Sequence, residues 1–165
     1  MTFEIDSRLD PVLLGVAWMI GHWEGTGNGH RLGGDDFEFS VTIDFTENGG
    51  NYLHYIMQLF ETDDQGAWSR SLGMETGFWR PKADGGIEAI IAHPEGIAEV
   101  YVGTIDGAKI ELTTDLVART VTADTAVTGG HRLYGNVEKD LMFAWDQGTE
   151  THELQPHLWA RLKRA

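Results

Sequence analysis

From Phe37 the chain alternates in polarity. Phe37, Phe39, Val41, Ile43 and Phe45 are apolar, and Glu38, Ser40, Thr42 and Asp44 between them are polar. A period of two over this length predicts a strand with one buried and one wet face. Glu47-Asn48-Gly49-Gly50-Asn51 then turns the chain into a returning strand over Tyr52–Thr62, and Asp63–Gly66 turns it again into Trp68–Arg80. Further turn signals at Pro81–Gly86, Pro94-Glu95-Gly96 and Asp106-Gly107 separate strands at Ile87–His93, Ile97–Ile105 and Ala108–Val117. Val121–Val137 reads as one long strand with a bulge at Gly129-Gly130. Leu141–Gly148 and a closing strand from Leu154 to Arg164 complete the pattern. With Trp23–Arg31 placed first, this makes about ten strands linked by short turns. An antiparallel meander hides its edges by closing on itself, so the pattern predicts an all-β, up-and-down, ten-stranded barrel. A barrel of that size leaves room inside for a ligand.

One segment breaks the period. Asp10 followed by Pro11 is a helix start, because Asp caps the first turn and Pro suits the first helical position. The apolar run Val12–Ile20 follows and Gly21 ends it, predicting a short N-terminal helix that plugs the barrel. The run Pro11–Ile20 is about half a membrane span and follows acidic residues, so no membrane segment is expected. The 165 residues suffice for one domain with a real core, taken as 1–165. A formal net charge of −14 disfavours nucleic acid and anionic membranes as partners, but not a small neutral ligand. With no cysteine there is no disulfide, thiolate ligand or thiol nucleophile. A soluble cytoplasmic protein, monomer or homodimer, is the expectation.

Candidate chemistry is sparse. Gly21-His22-Trp23-Glu24-Gly25-Thr26-Gly27 forms a G-x-W-x-G-x-G pattern, in which Gly21, Gly25 and Gly27 let a first strand bend and Trp23 seals a barrel end. Lipocalins and fatty-acid-binding proteins open in a similar way. His22, His30, His54, His93, His131 and His152 show neither HxH nor HExxH spacing, which disfavours a zinc enzyme. Ser69 and Ser71 lack a nucleophile elbow. The carboxylates are spread over turns and outward positions. His157 stands at the start of the last strand, in Gln155-Pro156-His157-Leu158. Its parity places it with Trp159, Arg161 and Lys163, opposite the apolar face of Leu158, Ala160 and Leu162. Pro156 has no ladder donor, however, and can break that register, turning the imidazole inward.

Gln155-Pro156-His157-Leu158, the glycine-tryptophan opening after a short helix, and Glu75-Thr76-Gly77-Phe78-Trp79-Arg80-Pro81 together resemble the nitrobindin family of haem-containing ten-stranded barrels. His93–Val100, Asp115–Thr120 and Arg132-Leu133-Tyr134-Gly135 are similar to its actinobacterial branch. The resemblance runs from Gly21 to the end. It implies one haem b per chain with His157 as the iron ligand, and small-molecule ligands, nitric oxide and peroxynitrite, the latter isomerised to nitrate. No protein acid or base is demanded. It also implies that Leu72 and Met74 approach the distal haem face, with Leu72 and Gly73 where relatives tend to have Met and His. Gln147 stands where some relatives have Met, and His131 is a candidate partner for a haem propionate. The family's Tyr-Pro-Thr-Ile loop is replaced around Arg31-Leu32-Gly33-Gly34. Two other readings are a non-catalytic carrier of an apolar ligand, with Arg70, Arg132 or Tyr134 meeting a carboxylate, and a family member that has lost haem. An ordinary histidine titrates near 6.5, so an iron–imidazole bond here is expected to fail below roughly pH 5–6.

Overall fold

Strands β1 (Gly21–Gly29), β2 (Phe37–Thr46), β3 (Leu53–Thr62), β4 (Trp68–Pro81), β5 (Gly86–His93), β6 (Ile97–Asp106), β7 (Lys109–Arg119), β8 (Val127–Val137), β9 (Asp140–Thr149) and β10 (Gln155–Arg164) follow one another around a closed antiparallel barrel. The structure, a computed structural model, describes residues 4–31, 34–123 and 126–165. Each strand pairs with its neighbours in sequence, and β1 closes the barrel on β10 from Trp23↔Arg164 to Gly29↔Leu158. No edge is left over, as the meander predicted.

The apolar positions of the alternating pattern point inward. Phe39, Val41, Ile43 and Phe45 of β2 meet Tyr55, Met57 and Leu59 of β3, and Ile87, Ala89 and Ile91 continue the core on β5. Close approach explains two glycines of the opening motif. A Cβ on Gly25 would lie 2.1 Å from the Arg161 carbonyl oxygen, and one on Gly27 would lie 2.3 Å from that of Trp159. β1 can therefore lie against β10 only without side chains there.

The N-terminal helix forms over Pro11–Met19, with the Asp10 carboxylate accepting from the Val12 N–H at 2.9 Å. It is a 3-10 helix, longer than such helices usually run. Leu13, Val16, Ala17 and Met19 are buried. The Trp23 indole N–H donates to the Met19 carbonyl at 2.7 Å, and the Arg164 guanidinium lies 4.2 Å over the Trp23 ring while donating to the Trp18 carbonyl at 2.6 Å. Helix, Trp23 and Arg164 thus close the end at which β1 begins and β10 finishes. The opposite end holds the links β1–β2, β3–β4, β5–β6, β7–β8 and β9–β10.

One predicted strand is shorter than its pattern. Val121–Val137 is a strand only over Val127–Val137, because Thr120 leaves the β7 ladder to donate to the Gly96 carbonyl and Ala123 donates back to Thr120. Residues 124 and 125 lie outside the described residues. The register of β8 against β9 shifts between Val127 and Gly129, one step before the predicted Gly129-Gly130 bulge.

Candidate functional site

Among the register shifts of the barrel, one in β10 and one in β4 each turn a side chain inward at the open end. In β10, Pro156 pairs with Asp146 and Leu158 with Trp145, so His157 is the extra residue between them. Its carbonyl accepts instead from the His30 N–H at 2.9 Å, just past the end of β1. The bulge puts His157 and Leu158 on the same wall, so strict alternation no longer assigns His157 to the outside. In β4, Gly73 pairs with Leu59 and Ser71 with Phe60, leaving Leu72 as the extra residue. Leu72 packs against the core.

These residues line a cavity of about 270 Å³, together with Phe37, Met57, Leu59, Ile97, Val127, Trp145 and Gln147. A second hollow of about 330 Å³ lies against His30, Arg31, Phe37, Gln147 and Pro156, and His157 borders both. The upper wall is mostly apolar, with Gln147 and Glu95 as polar members. The floor is not: Glu75, Glu99 and His93 face the same cavity.

That floor is the exposed edge of a buried polar cluster. Arg132, 1 % exposed, forms a two-point pair with Glu75, its second contact being 3.1 Å, and reaches Glu99 at 3.4 Å. Tyr55 donates to Glu75 at 2.8 Å and Tyr101 to Glu99 at 2.5 Å. The His93 ring stands between the carboxylates, with Nε2 2.6 Å from Glu99 and Nδ1 3.5 Å from Glu75. Burial by itself would raise the Glu99 carboxyl, but the bond from His93, the charge of Arg132 and the bond from Tyr101 bring it below the usual range. Burial likewise works against the Arg132 cation, and Glu75 beside it more than offsets that. Each charge here has a partner, which is the condition for burying it.

His157 itself makes no side-chain hydrogen bond among the described residues. Its ring stands perpendicular to Trp145, with centroids 4.7 Å apart. Burial lowers its pKa from 6.5 to about 4, and the charge of Arg132 adds to that effect. At neutral pH it is therefore an uncharged imidazole facing a cavity, with nitrogen lone-pair density to offer.

The other residues singled out in the sequence divide. Leu72 and Gln147 line the cavity with His157. Met74 borders it too, but stands opposite Gln58 in the outward row and is 42 % exposed. His131 is elsewhere: it pairs with Asp146 on the outer face, bonds Glu111 at 2.9 Å and borders neither hollow. Strand parity sends it outward, which removes the ground for placing it at a haem edge. In the Arg31–Gly34 stretch, Leu32 and Gly33 lie outside the described residues, while Arg31 stacks over Phe37 at 4.3 Å. Arg132 and Tyr134, candidates to meet a fatty carboxylate, are already committed to Glu75 and to each other, and Arg70 pairs with Glu61 outside. Sequence reasoning passed over Glu75, Glu99 and His93. Their inward parity against Met57, Ile91 and Ile97 was the signal available.

Comparison with known proteins agrees with this architecture. A family profile described as THAP4-like, heme-binding beta-barrel domain matches residues 12–164. A ferric nitrobindin-like protein of Cutibacterium acnes is 52 % identical over 166 residues, covering 100 % of both chains. A peroxynitrite isomerase of Nocardioides sp. is 43 % identical, covering 99 % of each. Among solved structures, Rv2717c from M. tuberculosis superposes with a TM-score of 0.82 at 31 % identity, over 95 % of this chain and 99 % of that one. The bulged histidine, the glycine-tryptophan opening and the closed ten-stranded meander all lie within the matched span, and the chain belongs to the THAP4-like haem-binding β-barrel family.

Proposed function

We propose that the chain holds one haem b through His157, binds nitric oxide and isomerises peroxynitrite to nitrate. The observation that carries this reading is a neutral imidazole on a bulge, without a side-chain hydrogen bond among the described residues, facing a cavity with a largely apolar wall at the open end of the barrel. The donor set fits the group. Among the described residues no three His, Asp or Glu side chains gather to hold a bare ion, so a lone imidazole suits a metal that brings its other ligands with it. Phe37, Met57, Leu59, Leu72, Ile97 and Val127 offer the apolar surface that a porphyrin buries. When bound, ferric haem supplies a Lewis-acidic, redox-active centre.

The chain's own part is to bind and to enclose. His157 provides the nitrogen donor, and the apolar wall formed by Leu72, Ile97 and Val127 excludes water. Peroxynitrite and nitrate are isomers of equal charge, so the conversion consumes no electron or co-reactant; when peroxynitrous acid is the entrant its proton leaves with the nitrate into water, and no side chain has to act as net acid or base. The paired carboxylates of the floor and the acidic exterior repel anions. Nitric oxide and protonated peroxynitrous acid are the entrants this surface favours. The fatty-acid-carrier reading loses its anchor, because Arg132 is occupied. No described helix is long and apolar enough to cross a membrane.

The test is stopped-flow decay of peroxynitrite with nitrate and nitrite quantified. Haemin-loaded protein is expected to speed the decay and to raise the nitrate share over the haem-free barrel. An unchanged rate and product ratio with haemin demonstrably bound would remove the isomerase assignment and leave a haem carrier.

A further inference from the structure

No protein hydrogen bond among the described residues fixes the plane of the His157 ring. A metal-ligating ring normally passes its second N–H to a carboxylate, a carbonyl or a water, which fixes the tautomer and the ring plane. Among the described residues no carboxylate or carbonyl reaches the His157 ring. Its one close ring partner is Trp145, perpendicular at 4.7 Å.

Trp145 is unusually well fixed for such a role. It is 5 % exposed and paired in register with Leu158 on one side and Arg132 on the other. The Arg132 guanidinium carbon lies 3.8 Å from the ring centroid. The indole nitrogen is packed so close to Gly130 that a Cβ there would lie 3.1 Å from it, and among the described residues it has no protein hydrogen-bond partner. The position uses the face and edge of the ring instead. Arg132 cannot drift from its place because Glu75 and Glu99 hold it.

We infer that Trp145 is the positioning residue for His157: the perpendicular indole sets the plane of the imidazole, while the Arg132–Glu75–Glu99 cluster clamps the indole. The perpendicular arrangement of the two rings supplies the attraction. This rests on the proposal that His157 is the haem ligand. It also gives the buried charge cluster a purpose beyond filling the barrel. A ligand held by an aromatic ring remains a plain neutral imidazole, without the added basicity that a carboxylate partner confers.

Two variants separate the π-system from mere bulk. Trp145→Phe keeps an aromatic ring, and Trp145→Leu keeps apolar volume only. In the haem-free protein the His157 ring resonances, assigned by their loss in His157→Gln, are expected to be displaced by the indole ring current. That displacement should persist in part in Trp145→Phe and vanish in Trp145→Leu. On haemin loading, Trp145→Leu should weaken binding about 10-fold, the lower end for losing an outer partner of a metal ligand. It should also broaden the iron–imidazole stretching band in resonance Raman, with Trp145→Phe close to wild type in both. A natively folded Trp145→Leu with the wild-type His157 resonance position, haemin affinity and Raman band would overturn the inference. If Trp145→Leu does not fold, a Trp145→Phe protein whose His157 resonances move to the unstructured position would overturn it equally. Wild-type protein that takes up haemin independently of His157 would refute the proposed function instead, and the haem-free spectra would still decide whether Trp145 sets the ring.

Discussion

Replacing His157 by Gln in the haem-free barrel should make the protein more resistant to acid, by an amount the structure sets. Burial lowers the pKa of His157 from 6.5 to about 4. Between those values the unfolded chain binds a proton that the folded chain refuses, so stability rises with pH across the window. The contribution is complete above 6.5 and is lost as pH falls toward 4, where the full penalty is about 3 kcal/mol. Linkage gives a loss of about 1.4 kcal/mol at pH 5.5 and about 2.5 kcal/mol at pH 4.5. Gln cannot titrate. Groups remote from the site are common to both proteins and drop out of the difference. Urea unfolding followed by far-UV circular dichroism at pH 7.5, 5.5 and 4.5 measures it. The wild type should lose about 2.5 kcal/mol more than His157→Gln between the extremes. Parallel losses within about 0.5 kcal/mol would mean that the ring protonates in the folded state as freely as in water, and that its burial is not real.

The same value moves proton competition for a bound metal down to around pH 4, below the pH 5–6 window of an ordinary histidine, so a Soret titration should hold through pH 5 before haem is lost. Glu75→Ala should destabilise by about 3–5 kcal/mol in urea unfolding, because it strands Arg132 without its main partner; a cost under about 1 kcal/mol would show that the pair is hydrated. Gly25→Ala should cost at least about 1–3 kcal/mol, since its Cβ would lie 2.1 Å from a carbonyl oxygen that cannot move without opening β1 from β10. A fluorescent fatty acid should bind weakly and be displaced by haemin; tight binding abolished by Arg132→Ala would restore the carrier reading.

The fold was legible because its determinants are local. Alternation in β2 and the turn glycines fix strand number, and a meander with no spare edge can only close. The extent of β8 was not, because Val121 and its neighbours look strand-like one by one, while a turn stapled to Gly96 takes the chain away from the ladder. At the site, parity alone pointed His157 outward, and Pro156 was the local hint that a bulge reverses it. His131 shows the converse: with no bulge beside it, parity holds and the ring faces out. The Glu75–Arg132–Glu99 cluster was hidden because its members sit on β4, β8 and β6, and only barrel closure brings them together. Charged residues at inward positions read as exceptions until their partners across the barrel are known.

The central claim, that His157 anchors haem in the cavity at the open end, is tested most directly by titrating haemin into wild type and His157→Ala at pH 7.5 and following the Soret band. The account predicts stoichiometric uptake by the wild type and loss of most of the affinity in the variant, with the far-UV spectrum of the barrel unchanged. An identical Soret band and affinity in His157→Ala would contradict it.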